Sequence, residues 1–414
     1  MKSKLKPAAR PASGEGQAYL SAAVVRLMAI TVGCAVASNY YAQPLLQAIS
    51  AHFGVSATEA GGIVTVAQLS YAMGLLLLVP LGDLVGRRGL VVLMTALSAV
   101  GLLVTAHAPS LPVMLLGTAM TGGLSVVAQV LLPLASALAA PDARGKAVGT
   151  VMSGLLLGIL LARVFAGILA DLGDWRLVYR IAAAAMLVLS AALWRMLPRV
   201  AATGGASYPR LLASTLRLYV DEPLVRTRSL LGVMLFASFS LMWTPLTFLL
   251  SAPPYRYSSA AIGLFGLAGA AGAWSVGWFG RLVDRGRGDR ATWGGLALLL
   301  ASWLPLACGT VSPWALVVGI VLLDCAIQGV HVTSLGLLYR RRPDARSRLT
   351  AGAMTCNFVG AALGSQLSLR LYAWAGWPGV CMTGGVLAAL ALLCFAVVRN
   401  GAPASQTDHP GVVQ

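Results

Sequence analysis

The residues with the clearest chemical potential lie on one stripe of an apolar segment in the C-terminal half of the chain. Asp324, Gln328 and His331 follow one another at one-turn intervals, so they share a face if the segment is helical. Of the 13 acidic residues, Asp324 alone falls near the middle of a long apolar run. Polar groups on one stripe of a membrane helix usually face an aqueous pathway. We therefore predict that Asp324 and His331 couple to protons and that Gln328 lines a substrate cavity.

Each of these predictions has an alternative. Asp324 could be a structural acid, either satisfied in the core or paired with Arg163, and His331 could be a plain hydrogen-bonded histidine. Arg163 lies well inside the fifth apolar run, where an arginine is costly unless it is paired or reaches water. Its side chain either extends to the outer interface, or faces the cavity and meets a substrate anion or a carboxylate.

Other polar and aromatic residues are candidates for the same cavity. Asn39 and Gln43 are four residues apart near the end of the first apolar run, which predicts that they share one helix face turned to the cavity. Tyr40 could line the cavity or anchor the helix at the interface. The remaining candidates, which could instead form interhelical hydrogen bonds, are Gln68, Tyr71, Gln129, Trp243 and Asn357.

The composition is that of a protein that crosses a membrane many times. Of 414 residues, 58% are hydrophobic and 10% are charged, and the mean hydropathy is +0.81. About 20 apolar residues span a bilayer. Twelve such runs are predicted, at residues 22–46, 58–81, 88–108, 111–139, 147–170, 177–197, 229–251, 260–282, 291–309, 313–338, 350–373 and 377–398.

The distribution of charge predicts the topology. The formal net charge is +17, and Lys and Arg concentrate in alternate loops, as expected of cytoplasmic loops. This pattern explains the basic composition without a nucleic-acid partner. It predicts a cytoplasmic tail at 1–21, a six-helix bundle at 22–198, a cytoplasmic linker at 199–228, a second bundle at 229–398 and a cytoplasmic tail at 399–414. Within the linker, residues 209–220 could form an amphipathic helix at the inner interface, although a plain tether is the alternative.

Two short loops repeat at matching places in the two halves. The first, V-P-L-G-D-L-V-G-R-R at residues 79–88, follows the second apolar run, and a similar loop at 280–287 follows the eighth. Glycine permits the turn, and charge keeps it on the water side. An internal repeat of this kind is typical of transporter folds.

The first loop resembles the signature of the major facilitator superfamily, Gly-x-Leu-x-Asp-Arg-x-Gly-Arg-Arg. Asp83, Gly86, Arg87 and Arg88 match it, whereas Val79 and Leu84 replace its first Gly and its middle Arg. The second loop keeps Gly280, Leu282, Asp284 and Arg285. The resemblance implies two pseudo-symmetric six-helix bundles, an all-α polytopic fold, with these loops acting as a conformational gate. A turn that only retains charge at the cytoplasmic side is the alternative.

A second resemblance concerns one branch of the superfamily. The stretch N-Y-Y-A-Q-P at 39–44 is similar to the end of the first helix in the bacterial drug and metabolite proton antiporters. That branch carries Gly-Pro-x-x-Gly-Gly in its fifth helix. Here Gly158 is followed by Ile159, and Ala162 and Arg163 stand at the two later glycine positions, which weakens the inference of antiport.

The sequence contains none of the motifs that we would expect of an ATP-driven pump or a membrane enzyme. No Walker loop, H-E-x-x-H or G-x-S-x-G is present, and the six cysteines show no C-x-x-C spacing. We therefore expect no enzyme activity, cofactor or metal. The prediction is a monomeric secondary transporter of a bacterial inner membrane, coupled to protons, that exports a small organic molecule. Uptake of a sugar, nucleoside or organic anion is the alternative, and a transport-dead membrane sensor is a third reading.

Overall fold

A computed structural model describes residues 20–199 and 207–400 of the chain, and within them the regular structure is helical. The predicted tails lie largely outside these residues. Nine described helical segments are long and apolar enough to cross a membrane, and one of them, Pro343–Arg399, contains two helices that meet at Gly376. Two shorter apolar stretches, Ala22–Ala37 and the region beginning at Ser259, complete twelve spans.

We number the membrane helices in chain order. The first half contains α1 (Ala22–Ala37), α2 (Ala57–Leu77), α3 (Arg87–Ala106), α4 (Leu111–Leu138), α5 (Arg144–Leu172) and α6 (Trp175–Met196). The second half contains α7 (Pro223–Ser251), α8 (259–284), α9 (Gly288–Ala307), α10 (Pro313–Arg341), α11 (346–375) and α12 (377–400). The predicted runs and these helices agree in number and order, because a long apolar sequence in a bilayer must satisfy its backbone within one helix.

Three short α-helices of the described chain lie outside the spans, and one of them, Leu81–Leu84, lies between α2 and α3. Leu46–Phe53 follows α1, and Tyr208–Asp221 occupies the central connection where an amphipathic helix is predicted. The α7 helix begins at Pro223, inside the stretch predicted as linker. Proline is favoured in the first turn of a helix, since its missing N–H would have no partner there.

The α1 helix is shorter than the apolar run that predicts it. It ends at Ala37, and the chain then turns before a 3-10 segment, Gln43–Leu45. Pro44 stands in the first turn of that segment and cannot donate a backbone hydrogen bond. Asn39 and Gln43 therefore do not share one helix face, and that prediction is wrong.

The loops between helices define two ends of the molecule. The basic end carries the connections α2–α3, α4–α5, α6–α7, α8–α9 and α10–α11, and the far end carries the others. Each half has its own apolar core, with Met28, Leu131 and Met186 fully buried in the first and Leu235 and Leu323 in the second.

The two halves meet through two antiparallel helix pairs. The α2 and α11 helices pack along much of their length, with Thr65 Oγ1 3.3 Å from Ser365 Oγ. The α5 and α8 helices touch closely at the far end, and their contacts become few beyond Ala270. These two helices therefore diverge toward the basic end and leave room between the halves.

Candidate functional site

The centre of the site is a stack of three side chains from three helices. Arg163 of α5 places its guanidinium carbon 4.1 Å from the ring centroid of Trp243 on α7. The indole Nε1 of Trp243 in turn donates to Asp324 Oδ1 on α10 at 3.5 Å. The indole ring thus contacts a cation through its face and a carboxylate through its edge. A guanidinium over an indole face is a favourable cation–π arrangement.

Arg163 turns into the protein and not out to the interface. Its side chain is 4% exposed, its Nε donates to Gln43 Oε1 at 2.6 Å, and the ring of Tyr40 lies 4.9 Å from its guanidinium carbon. Asp324 is 6% exposed. Among the described residues, Arg163 and Asp324 do not form a direct ion pair. The Trp243 ring contacts both side chains, so the two opposite charges lie on either side of it.

Glycines of α8 make room for this stack. A Cβ at Gly269 would lie 2.6 Å from Asp324 Oδ2, and one at Gly266 would lie 3.2 Å from Arg163 Cβ. The 3-10 segment of α8, Phe265–Gly269, contains both positions. Any larger residue there would displace one of the charged side chains.

A cavity of about 920 Å³, including its mouth, lies between the halves around this stack. Tyr40, Gln68, Arg163, Asp324 and Gln328 contribute its polar lining. Four of these, Tyr40, Gln68, Arg163 and Gln328, are residues predicted to line a cavity, and Asp324 lies among them. The predicted residues Gln43 and Trp243 contact Arg163 but do not line this cavity.

Five aromatic rings form a continuous row, and three of them, Phe236, Phe239 and Phe358, line the cavity. Ring centroids are 6.1 Å apart for Trp243 and Phe239, 6.4 Å for Phe239 and Phe236, 6.0 Å for Phe236 and Phe358, and 4.3 Å for Phe358 and Tyr71. Sequence reasoning missed the three phenylalanines, because a phenylalanine in an apolar span usually serves only in packing. Their one available signal is that Phe236, Phe239 and Trp243 are three and four residues apart on α7.

Several buried polar atoms at the site have no hydrogen-bond partner. They are Arg163 Nη2, Gln43 Nε2 and Gln68 Oε1. Gln43 and Gln68 are each 2% exposed. A buried polar group without a partner costs free energy, so a molecule that supplied partners to these atoms would be bound more tightly.

The other predicted cavity residues lie next to the cavity. Asn357 Nδ2 is 3.2 Å from His331 Nδ1, and the His331 ring packs 5.6 Å from Phe236. Gln129 Nε2 donates to the hydroxyl of Tyr71 at 3.5 Å. His331 is thus hydrogen-bonded on the same helix as Asp324 but beyond the three-residue stack.

Asn39 lies elsewhere. It lines a separate, smaller cavity inside the first half, with Ser38, Thr121 and Tyr179 among its neighbours. Its Oδ1 has no partner. The early end of α1 turns Asn39 away from the face that Gln43 occupies.

The two repeated loops lie at the basic end. Arg87 Nε donates to the Gly82 carbonyl at 3.0 Å, and Arg88 donates to the Trp194 carbonyl on α6 while its guanidinium covers the Trp194 ring. Gly86 precedes the first residue of α3. The side chain of Asp83 lies outside the described part of the structure.

In the second loop, Gly280 lies in α8, Asp284 ends the helix and Arg285 follows it. Gly286 has a φ of 73°, a conformation that glycine adopts without strain. The neighbouring carbonyl of Val283 accepts from Arg340 of α10 at 2.8 Å. The described contacts of both loops therefore lie within their own halves. Among described residues, no group of three His, Cys, Asp or Glu is placed to hold a metal ion.

Comparisons with known proteins agree with this fold. The sequence matches the family profile of the Major Facilitator Superfamily over residues 28–365. The uncharacterized transporter YgaY of Escherichia coli is 54% identical over 376 residues, which are 91% of this chain and 95% of YgaY.

Two solved structures have the same architecture. A bacterial homolog of the human lysosomal transporter Spinster, inward-facing and occupied, has a TM-score of 0.73 at 14% identity, covering 94% of this chain and 98% of that chain. The nucleoside transporter NupG has a TM-score of 0.72 at 13% identity, covering 91% and 100%. At these identities the likeness concerns the fold alone.

Proposed function

Because the chain belongs to the major facilitator superfamily and is a multi-pass membrane transporter, we propose that it exports a small organic molecule by proton-coupled alternating access. The observation that carries the proposal is the placement of Asp324. This carboxylate is buried on the wall of a cavity between two helix bundles, beside a cation that it does not directly contact. We assign Asp324 as the proton site and Arg163 as a substrate contact.

The surroundings of Asp324 suit a group that changes its charge. Its described hydrogen bond, from Trp243 at 3.5 Å, is long, so ionised Asp324 is held less firmly than a carboxylate in a close ion pair. Arg163, across the indole, limits the cost of the ionised form in the membrane. Protonation of Asp324 would therefore weaken the electrostatic interactions that link α5, α7 and α10 through Arg163, Trp243 and Asp324.

Alternating access needs a closed end and an open end. At the far end, Thr247 Oγ1 donates to the Gln43 carbonyl at 2.6 Å, and Ala260 N donates to Asp171 Oδ2 at 3.0 Å. These contacts join the two halves, whereas α5 and α8 diverge toward the basic end. If the basic loops are cytoplasmic, this is the conformation that receives substrate from the cytoplasm.

We propose that the loop at residues 79–88 acts as a gate at the basic end. Arg87 and Arg88 bind groups of the first half while the basic end is apart. Closure of that end would bring the loop near the second half, where new partners for its charges would stabilise the opposite conformation. We place the protein in a bacterial inner membrane with both termini in the cytoplasm, and we propose that a monomer is the working unit.

Uptake of a metabolite is the second candidate function. The unpartnered Nη2 of Arg163 suits an anionic nutrient, which is one of the substrate classes of this candidate. The same machine runs in either direction, because the coupled gradients decide the sign of the flux.

The test compares Asp324→Asn with wild type in a bacterial host that lacks its main exporters. We expect the wild type to lower the accumulation of a compound from a panel of drugs and metabolites, and we expect Asp324→Asn to abolish this effect at equal membrane abundance. Asp142→Asn, a change at an exposed loop carboxylate, is the matched control. Raised accumulation in wild type would replace export by uptake. Equal flux in wild type and Asp324→Asn would remove Asp324 from the coupling mechanism, and ligand binding without flux would indicate a sensor.

A further inference from the structure

The cavity contains a buried cation with an unused hydrogen-bond donor. Arg163 is 4% exposed, its Nε is bonded to Gln43, and its Nη2 has no partner. We propose that the transported molecule is a small organic anion with a flat apolar body, and that it binds together with a proton on Asp324. This inference rests on the proposed function, since it names the substrate of the same cavity. An anion and a proton that bind together cross the membrane in the same direction, so the inference selects the uptake candidate over proton-driven export.

The donors favour an acidic group over other polar groups. A guanidinium binds carboxylates through parallel N–H groups, and such charge-assisted bonds are among the strongest in proteins. Gln43 Nε2, on the same amide group as the Oε1 that accepts from Arg163, is also unpartnered. Two neighbouring donors without acceptors can satisfy the two oxygens of one carboxylate.

The wall favours a flat apolar body. Five rings, from Trp243 to Tyr71, form a row at centroid distances between 4.3 and 6.4 Å. Phe236, Phe239 and Phe358 line the cavity itself. Aromatic rings in contact prefer offset or edge-on partners and gain from burying apolar area. A ligand with its acidic group at Arg163 would lay its body against this wall.

The charge balance favours a proton as the companion of the anion. The titratable and charged groups that face Asp324 are Arg163 on α5, Tyr40 beyond α1 and Cys325 on α10, with His331 two turns along α10. Arg163 and ionised Asp324 sum to zero charge, so an added anion leaves one unbalanced negative charge in the cavity. Protonation of Asp324 restores neutrality, which a low-dielectric site requires. A cationic substrate would instead exchange with the proton.

Binding to purified full-length protein tests the substrate class without any variant. The probes are naphthoate, its neutral amide naphthamide and the cation naphthylmethylamine, which share one ring system. We expect naphthoate to raise the thermal midpoint and to change tryptophan fluorescence, with binding at least about tenfold tighter than that of naphthamide or the amine. Equal or tighter binding of the amide or the amine would overturn the proposal.

Proton uptake tests the second part. We expect naphthoate binding in weakly buffered solution to take up about one proton per ligand in wild type and none in Asp324→Asn, which carries a neutral group already. Asp324→Asn should retain naphthoate binding, whereas Arg163→Gln should weaken it at least about tenfold. If Arg163→Gln fails to fold, the probe series and Asp324→Asn decide the matter. Proton release on binding would contradict joint binding.

The outcomes separate this inference from the proposed function. Naphthoate binding with proton uptake, but no flux under any imposed gradient, would defeat the transport proposal and leave the site intact. Proton-driven flux of a cation, without naphthoate binding, would defeat the anion inference and leave transport intact.

Discussion

The contact between α5 and α8 at the far end yields a sharp prediction about conformation. Gly263 of α8 packs directly on the backbone of α5, and a Cβ at this position would lie 2.4 Å from the Arg163 carbonyl oxygen. Ordinary van der Waals contact begins at 3.4 Å, so Gly263→Ala requires α5 and α8 to separate by about 1 Å. The strain falls on the conformation described here, in which the far end is closed.

The expected magnitude follows from the cost of overpacking. Inserting a methyl group into a close helix contact costs about 1–3 kcal/mol. If the far-open conformation relieves this strain, Gly263→Ala shifts the equilibrium toward it by about 5-fold to 150-fold. Gly277→Ala on the same helix is the matched control, because the nearest atom to its new Cβ is 3.8 Å away, at the end of the Arg281 side chain.

The measurement is a distance distribution between spin labels at the far end. Leu172 and Val311 are 75% and 81% exposed and lie in opposite halves, so labels there disturb little packing. In a background without native cysteines, we expect Gly263→Ala to enlarge the population at the longer distance and Gly277→Ala to match the parent. Identical distributions for Gly263→Ala and Gly277→Ala would refute the reasoning that this glycine contact holds the far end closed.

Two further predictions concern stability. Gly158→Ala should lower the thermal midpoint of purified protein, because its new Cβ would lie 2.3 Å from the Gly33 carbonyl oxygen. The overpacking should cost about 1–3 kcal/mol of stability. Gly149→Ala on the same helix is the control and should leave the midpoint unchanged, because nothing lies within 4 Å of its Cβ. Arg228→Gln should lower the free energy of unfolding by about 1–2 kcal/mol, and with it the thermal midpoint, because Arg228 is 4% exposed and lies 3.1 Å from Asp289. An unchanged midpoint in Arg228→Gln would mean that this pair contributes nothing to stability.

The course of the chain through the membrane was predictable because it depends on local properties. Twelve apolar runs and alternating basic loops predict twelve helices in two halves, and the described helices agree in number and order. Family membership was likewise readable from the loop at 79–88 and its counterpart. The boundaries were less predictable where proline or glycine intervenes, as at Pro44, where an apolar run does not continue as a helix.

The identity of the charged site residues was also visible in sequence. Asp324 and Arg163 stand out because a charged residue inside an apolar span is costly and rare. Their relation was not visible. Trp243, which lies between them, was one of several cavity candidates, and Phe236, Phe239 and Phe358 carried no signal that separates a cavity wall from ordinary packing.

The amino-acid sequence by itself thus determined the number of spans, their division into two halves and the pair of buried charges, since hydropathy and charge act residue by residue. Only the tertiary structure decided that Arg163 and Asp324 share the ring of Trp243 without direct contact, that Asn39 faces a different cavity, and that the far end is closed. These facts depend on contacts between residues far apart in sequence, such as Arg163 with Trp243, 80 positions apart, and Thr247 with Gln43, 204 positions apart. Local periodicity contains no information about such pairs, because the packing of whole helices brings them together.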